Sequence, residues 1–304
     1  MTSSKNRIIQ LNSSVFRFLL AVCFVLKTTT DAYSQNPPET EIFLVELDLP
    51  NRSVSVPTNI TQHKGYDNQP SFTPDGKALL YTSMRENNQT DIYRYDLKTQ
   101  QTTQLTSTAE SEYSPIITPT GNYFSVIRVE KDQTQRLWKF PVSGPAEPEL
   151  MLKNVKPVGY HCWLNQDWLA LFILGKPNTL QLAQVSTGDT IRIEGNIGRS
   201  LQKVPGREAV SFVYKESPNN WQIRQLNWKG RQISPLVKTL EGSEDFVWTS
   251  DGTLLMCQGS ALYFYKPNVT SSWMQLADFS SSGIKQLTRL AIDPKGKTLA
   301  LVSQ

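Results

Sequence analysis

The sequence predicts an all-β protein, a six-bladed β-propeller whose sixth blade is closed by the N- and C-terminal strands. Three observations support this prediction: a turn that recurs at a fixed interval, strand-like segments between the turns, and incomplete units at the two ends of the chain. A repeat of about 40 to 45 residues that is filled with short strands is typical of a propeller blade.

The recurring turn has a glycine at its tip and an aromatic or branched residue two places before the turn begins. Gly76 and Gly121 are 45 residues apart, and Gly252 and Gly296 are 44 residues apart. The four clear copies are Pro74-Asp75-Gly76-Lys77, Pro119-Thr120-Gly121-Asn122, Ser250-Asp251-Gly252-Thr253 and Pro294-Lys295-Gly296-Lys297. Weaker copies, with Asp167 and Gly206 in the glycine place, fill the interval between them.

Each unit is expected to contain four strands. In the first unit we expect an inner strand at residues 70–74, a second strand at 78–82, a third at 92–97 and a fourth at 101–105. The third segment alternates between apolar and polar residues, and such a period of two indicates a strand with one face packed against a neighbour.

The two ends of the chain complement each other. After Gly296 only residues 298–302 are strand-like, so the last unit lacks its two outer strands. Residues 42–47 and 53–61 near the other end supply two such strands. Joining them gives a sixth blade and removes the sheet edges that an open array would expose.

Residues 1–34 have the features of a signal peptide, and residues 35–304 are expected to form the propeller. Lys5, Arg7 and Arg17 are basic, residues 18–26 are a short apolar run, and cleavage is expected near Ser34-Gln35. Nine apolar residues are too few to span a bilayer, which needs about 20. We therefore expect a periplasmic or secreted protein without an integral membrane span. A lipid anchor at Cys23 stays open as an alternative, although Val22 is large for that motif.

The charge of the chain lies mostly in this leader. The chain has 31 Lys and Arg residues and 27 Asp and Glu residues, and removing the four bases and one acid of residues 1–34 leaves 27 bases against 26 acids. A domain this close to neutral is not expected to bind nucleic acid. Cys162 and Cys257 fall in different repeats and are expected to be buried and unpaired. The domain is expected to be a monomer.

The run Asp67-Asn68-Gln69-Pro70-Ser71-Phe72-Thr73-Pro74-Asp75-Gly76-Lys77 resembles the propeller repeat of the TolB family. Related repeats occur in the tricorn protease and in prolyl-oligopeptidase-type peptidases. The resemblance covers nearly all of residues 40–304, and it implies six blades and an extracytoplasmic, bacterial setting. Because proteins of many activities share this repeat, it does not identify the function.

The sequence offers little for catalysis. There is no Gly-x-Ser-x-Gly motif, and the α/β-hydrolase domain that propeller-containing peptidases use is not indicated. His63 and His161 are the only histidines, so a histidine-rich zinc site cannot form. No cofactor is expected, but an oxygen-ligated divalent cation such as calcium stays possible.

The beginnings of the inner strands are the candidate site, since in a propeller they crowd toward the axis at one end. Counting back from each turn gives a set of polar candidates for ligand binding. They are Glu112, Tyr113, Tyr160, His161, Arg199, Glu244, Asp245 and Arg289. Convergent polar groups at such a mouth indicate a ligand site, and two arginines suit a carboxylate. The alternative, that these groups only solvate the axis and pair with each other, stays open.

The predicted function is therefore that of an exported, non-catalytic module in the cell envelope, a protein-interaction scaffold or a binder of a small ligand. Long polar loops in units one, two and four, against tight ones in units three and five, would suit recognition of an unknown partner on one side. The alternative is a lactonase- or lyase-like propeller enzyme with a channel-mouth metal on Glu112, His161, Glu244 and Asp245.

Overall fold

The structure, a computed structural model, describes residues 37–85, 88–144 and 147–304. The signal peptide that is expected at residues 1–34 lies outside these residues. Within them the chain forms 25 β-strands and one short 3₁₀ helix, η1 (Ser280–Ser282). None of the helical structure in this part of the chain has the length and apolarity that crossing a bilayer requires.

The strands form six antiparallel sheets, as predicted. The chain begins with three strands of the sixth blade, β1 (Glu41–Asp48), β2 (Ser53–Val54) and β3 (Thr58–Asn59). The first blade contains β4 (Tyr66–Phe72), β5 (Ala78–Met84), β6 (Thr90–Asp96) and β7 (Thr102–Gln104). The second contains β8 (Ser111–Ile117), β9 (Tyr123–Val129), β10 (Gln135–Pro141) and β11 (Glu149–Leu150).

The remaining blades follow in the same order along the chain. The third contains β12 (Val158–Trp163), β13 (Trp168–Ile173), β14 (Thr179–Gln184) and β15 (Thr190–Gly195). The fourth contains β16 (Ile197–Lys203), β17 (Ala209–Ser217), β18 (Asn220–Asn227) and β19 (Gln232–Lys238). The fifth contains β20 (Phe246–Trp248), β21 (Leu254–Gln258), β22 (Ala261–Tyr265) and β23 (Met274–Asp278), and the sixth ends with β24 (Leu287–Ile292) and β25 (Thr298–Ser303).

The sixth blade is shared between the two ends of the propeller, which confirms the predicted closure. Its strand order is β2-β1-β25-β24, and β1 pairs with β25 from Glu41 opposite Ser303 to Glu46 opposite Thr298. The single strand expected at residues 53–61 is instead two short strands, β2 and β3, which both pair with β1. The ring of sheets is therefore closed by backbone hydrogen bonds.

Glycine recurs at the turns because the backbone there is left-handed. Gly76, Gly121, Gly252 and Gly296 have φ values of 65, 79, 80 and 69°, a region that other residues rarely occupy. Asp167 replaces this glycine in the third unit. Its side chain instead accepts hydrogen bonds from Gln184 Nε2 at 2.7 Å and Ser186 Oγ at 2.9 Å.

The hydrophobic core lies between the blades. Six clusters of buried residues each combine side chains of two adjacent sheets. In β5, Leu79 and Tyr81 pack toward the sixth blade, and Leu80 packs toward the second. Both faces of β5 are therefore buried, because successive side chains of a strand point to opposite faces and each face packs against a neighbouring blade. Cys162 and Cys257 are buried and unpaired, which confirms the prediction.

The connections between second and third strands differ from the prediction. They are five residues long in the first three blades, at residues 85–89, 130–134 and 174–178, and two residues long in the fourth and fifth, at 218–219 and 259–260. The long loop predicted in unit four is wrong, because β17 and β18 pair as far as Ser217 and Asn220. The turn predicted at residues 175–178 of unit three is in place, but at five residues it is no shorter than the connections of units one and two.

Candidate functional site

The candidate site is a cavity of about 380 Å³ on the axis, lined by residues of all six inner strands. The inner strands β4, β8, β12, β16, β20 and β24 start at the same end of the axis, which we call the mouth. Six residues, one at the start of each inner strand, form what we call the mouth ring. They are Tyr66, Tyr113, Tyr160, Arg199, Asp245 and Arg289.

Irregular pairing bends the inner strands at this end. Between the first and second strands of a blade, the register shifts in β4, β8, β12, β16 and β24, in each case near the mouth ring. Gln69 and Ser114, at two of these shifts, have left-handed φ values of 56 and 53°. A β-bulge bends its strand and changes the direction of its side chains. The bulges therefore redirect side chains at the point where the strands open onto the axis.

Three charged residues of blades four to six form the charged half of the mouth ring. Arg199 Nε donates to both carboxylate oxygens of Asp245, at 3.3 and 3.1 Å, and Arg199 Nη2 also donates to Asp245. Arg289 Nη1 lies 3.6 Å from Asp245 Oδ1. One carboxylate is thus held between two guanidinium groups, which fixes all three side chains.

Glu244 belongs to the same charged network but lies beside the ring. Its carboxylate accepts from Lys215 Nζ at 2.8 Å and from the backbone N–H of Arg199 at 3.2 Å. The cluster of Arg199, Lys215, Arg289, Glu244 and Asp245 therefore has three cations and two carboxylates. Its surplus is one positive charge.

Both arginines of the ring keep their charge. Burial by itself would lower the pKa of Arg199, but Asp245 and Glu244 together raise it above its ordinary value. For Arg289 too, the effect of burial is outweighed, chiefly by Asp245, so that its pKa is raised. The positive charge at the mouth is consequently permanent across the pH range in which proteins are stable.

The three tyrosines of blades one to three form the tyrosine half of the mouth ring. Burial raises the pKa of Tyr66 to about 12, an effect that Arg289 and Arg199 oppose and that Tyr160 and Tyr113 reinforce. The hydroxyl of Tyr160 accepts a hydrogen bond of 2.8 Å from Arg289 Nη2, which links the two halves. This half is neutral and presents phenol rings.

His161 lies in the cavity wall behind the ring. Its Nε2 is 2.7 Å from Ser125 Oγ, which also accepts a 2.9 Å hydrogen bond from Trp163 Nε1. Burial lowers the pKa of His161 to about 3, so the imidazole is neutral. Ser125 on blade two thus bonds to both His161 and Trp163 on blade three, and these hydrogen bonds join the two blades.

The structure brings five of the predicted candidates to the cavity wall and places three elsewhere. Tyr160, His161, Arg199, Asp245 and Arg289 line the cavity. Glu112, Tyr113 and Glu244 are not among its lining residues, although Tyr113 acts on Tyr66 at the mouth.

Glu112 is fully buried away from the axis because successive residues of a strand point to opposite faces. Its Oε1 accepts from Thr108 Oγ1 at 2.6 Å and lies 3.5 Å from Arg128 Nε. Burial raises the pKa of Glu112 to about 7, against the effects of Thr108, Thr106 and Arg128.

Sequence reasoning missed Tyr66, which lies ten residues before Gly76, one place beyond the window of seven to nine residues that locates the other strand starts. Ser114 falls within that window, beside Glu112 and Tyr113, but it is not one of the eight ligand candidates. By register, Asn68 opposite Thr82 corresponds to Tyr113 opposite Ile127, so Tyr66 lies two residues further from its turn than Tyr113 does. β4 begins four residues before the predicted start at Pro70.

The molecule is thus a closed six-bladed propeller with a polar mouth on its axis, which defines a class of fold rather than an activity. In the described residues, no three His, Cys, Asp or Glu side chains come together as metal ligands do. No protein-family model matches the chain, and no curated protein matches it either.

Among solved structures, the chain is similar to a putative TolB from Agrobacterium tumefaciens, with a TM-score of 0.69, 15% identity, and coverage of 87% of this chain and 98% of that one. It is also similar to TolB from Acinetobacter baumannii, with a TM-score of 0.57 and 13% identity. The match there covers 87% of this chain but only 64% of that one. The fold is therefore a TolB-like six-bladed propeller.

A third similar structure is an oligogalacturonate lyase in complex with manganese. Its TM-score is 0.52 at 14% identity, and the match covers 85% of this chain and 82% of that one. At identities this low, the likeness shows a shared fold only, and that fold serves proteins with different activities.

Proposed function

We propose that this protein is a non-catalytic binding module, a protein-interaction scaffold that holds an unknown partner at the mouth of its propeller. The proposal rests on the mouth ring, in which six residues near the starts of the inner strands present three phenols and a fixed Arg-Asp-Arg cluster. Tyrosine and arginine are the residues that most often dominate binding energy at interfaces. Fixed side chains lose little entropy on binding, which favours affinity.

Binding is favoured over catalysis because the chemically useful groups are occupied. His161 is neutral and bonded to Ser125, and Glu112 is buried beside Arg128, away from the axis. Asp245 is held by two arginines. A general base or a nucleophile needs a free pair of electrons near the substrate. Two atoms of these groups have no described hydrogen-bond partner, Glu112 Oε2, which lies away from the axis, and His161 Nδ1. Burial lowers the pKa of His161 to about 3, which makes its imidazole a weak base.

We further propose that the protein acts outside the cytoplasm, in the periplasm or secreted. The basic and apolar pattern of residues 1–34 supports export. The TolB-like fold is consistent with such a location. Cleavage near Ser34-Gln35 is tested by N-terminal sequencing of the protein recovered from its source, and an intact N-terminus would contradict export by this route.

Affinity capture from an envelope extract of the source organism tests the binding function. The double variant Arg199→Ala/Asp245→Ala removes the central ion pair without leaving one charge of the pair alone. We expect it to recover about tenfold less partner than the unmodified protein, because a desolvated charged anchor is lost.

The matched control is Lys139→Ala/Glu149→Ala, an ion pair of 3.0 Å on the outer strands β10 and β11. It should recover the partner at the unmodified level. Equal recovery by all three proteins, or no reproducible partner at all, would contradict binding at the mouth.

The second candidate function is that of a propeller enzyme with a metal at the channel mouth, and the likeness to the manganese-bound lyase favours it. Such an ion would draw on Glu112, His161, Glu244 and Asp245, of which Glu112 faces away from the axis. Elemental analysis of the purified protein distinguishes the two. A stoichiometric divalent cation that is lost in Asp245→Ala would support the enzyme.

A further inference from the structure

Two residues that line the axial cavity each have a buried polar atom that no described residue satisfies. They are the hydroxyl oxygen of Ser114 and Nδ1 of His161. The residues are only 9% and 4% exposed. Buried polar atoms in folded proteins nearly always have a hydrogen-bond partner. A water or a ligand that enters from the cavity is therefore expected to supply one.

Ser114 is held rigidly in an uncommon conformation. Its φ of 53° is rare for a residue other than glycine, asparagine or aspartate. Its backbone N–H donates to Gln69 Oε1 at 2.8 Å and lies 3.2 Å from Thr82 Oγ1, both on the first blade. These backbone contacts to the first blade fix the position of the Ser114 hydroxyl, and the hydroxyl itself has no described hydrogen-bond partner. Strained backbone of this kind is frequent at ligand sites.

His161 offers one neutral polar atom whichever tautomer it adopts. The hydroxyl of Ser125 has a single hydrogen, and the Ile116 carbonyl oxygen, 3.2 Å away, competes with His161 Nε2 for it. If Ile116 receives the hydrogen, His161 donates from Nε2 and its Nδ1 is an acceptor. If His161 Nε2 receives it, Nδ1 carries the proton and is a donor. In both cases Nδ1 needs a hydrogen-bond partner that the described residues do not supply.

The opposite wall has an incompletely used cation. Among the described residues, Arg289 makes one hydrogen bond, to Tyr160, and its contact of 3.6 Å with Asp245 is an ion pair beyond hydrogen-bond length. A guanidinium has five N–H donors. Together with the surplus positive charge of the charged cluster, these donors favour one negative charge in the ligand.

The rest of the lining is mixed: Gln69, Ser71, Ser200, Gln202 and Lys203 are polar, and aromatic and aliphatic side chains make up the remainder. Phe72, Trp163 and Trp248, at the far ends of their inner strands, contribute aromatic side chains to the cavity. A volume of about 380 Å³ lies at the lower end of the range of small-molecule pockets. It suits a compound of one ring rather than a peptide segment.

We propose that the axial cavity binds a small monocarboxylate with a flat apolar body. Its carboxylate lies at Arg289 and Arg199, its ring contacts the aromatic wall, and its polar substituents bond to Ser114 and His161. The site would thus select a ligand with a single negative charge and a flat apolar ring. This inference deepens the proposed binding function and rests on its placement at the mouth.

Isothermal titration calorimetry with two probes, benzoate and benzamide, tests the inference. The two have the same shape, but only benzoate is charged, so we expect benzoate to bind about tenfold more tightly. Arg289→Gln should weaken benzoate about tenfold and leave benzamide unchanged. Equal affinities for the two probes, or no benzoate binding, would overturn the proposal.

The matched control is Arg136→Gln, because Arg136 is similarly buried on β10 and pairs with Glu130 at 3.4 Å, outside the cavity. It should bind benzoate normally. Ser114→Ala is a second test that preserves the charges. With 4-hydroxybenzoate as the probe, it should lose a few-fold in affinity, while benzoate affinity stays the same. Unchanged binding of both probes by both cavity variants would place the site elsewhere.

This outcome is separable from that of the capture experiment. If benzoate behaves as expected but no partner is captured, the cavity site stands and the scaffold function fails. If the partner is captured through the mouth but benzoate does not bind, the scaffold function stands and the cavity site fails.

Discussion

The two halves of the mouth ring lie at the same end of the inner strands but have opposite chemistry. Blades one to three present tyrosines and have five-residue connections between their second and third strands. Blades four to six present Arg199, Asp245 and Arg289, and the connections of blades four and five are two residues long. A propeller thus brings residues from every blade to one axis, and each blade varies its own contribution independently. Under the proposed function, recognition at the mouth would depend on the combination of blades.

The largest expected effect is on the charged half. Asp245→Asn keeps the shape of the side chain but leaves Arg289 without a counter-charge and Arg199 with only Glu244, which lies 3.6 Å from its Nη1. We expect the free energy of unfolding to fall by about 3 kcal/mol, since an unpaired charge in a partly buried site is costly. Urea denaturation measures this value. Tyr113→Phe, at the equivalent position of the tyrosine half, is the control and should change it by less than about 1 kcal/mol.

If Asp245→Asn were as stable as the unmodified protein, the charges of Arg199, Asp245 and Arg289 would be solvated separately. The charged half would then not be a preformed anchor.

At Glu112, in the blades of the tyrosine half, we expect the free energy of unfolding to change with pH by about as much as it changes in Asp245→Asn. Its pKa is raised from 4.5 to about 7 by burial, so the folded state holds a proton that the unfolded state releases in this range. The stabilisation by this group is complete below about pH 4.5 and is lost as the pH rises through about 7. Glu112→Gln should remove roughly 3 kcal/mol of pH dependence.

The measurement is chemical denaturation of both proteins between pH 4.5 and 7.5. Asp67, whose pKa burial raises to about 6, contributes with the same sign, and His161 contributes with the opposite sign. The difference between the two proteins isolates Glu112. Parallel curves for the two proteins would mean that Glu112 titrates normally.

A smaller effect compares two serines at equivalent positions. Ser125 holds both Trp163 and His161, whereas Ser211 holds Trp248 at 2.8 Å and donates to the Gln202 carbonyl at 3.0 Å. Because Ser125→Ala leaves two buried polar groups unpaired, it should cost about 2 kcal/mol, and Ser211→Ala about 1 kcal/mol. Thermal or urea unfolding compares them, and an equal or reversed order would contradict the role given to His161.

The sequence predicts the fold almost completely because the period of the turns and the alternation within strands are local signals. Gly76 and its equivalents need left-handed backbone, so their spacing marks the blades. The pairing of β1 with β25 also follows, since both ends are incomplete units. Loop lengths are less predictable: β17 and β18 extend to Ser217 and Asn220 through polar residues that read as a loop.

The site is less predictable than the fold because one residue of register decides which way a side chain points. Glu112 and Tyr113 are neighbours in β8, yet the carboxylate is buried beside Arg128 and the phenol is near Tyr66. Bulges change this register without a clear sequence signal, and Tyr66 was missed because it lies before the position in β4 that corresponds to Tyr113. Likewise, the pairing of His161 with Ser125 joins two blades and depends on packing.

The proposed function requires that the partner binds at the mouth of the propeller. Two proteins compare the two ends of the axis, each with one photo-crosslinking amino acid. In the first it replaces Tyr113 at the mouth. In the second it replaces Lys98, which is exposed in the turn between β6 and β7 at the opposite face. After irradiation in an envelope extract, we predict an adduct of defined mass from position 113 and none from position 98. An adduct from position 98 alone would contradict binding at the mouth.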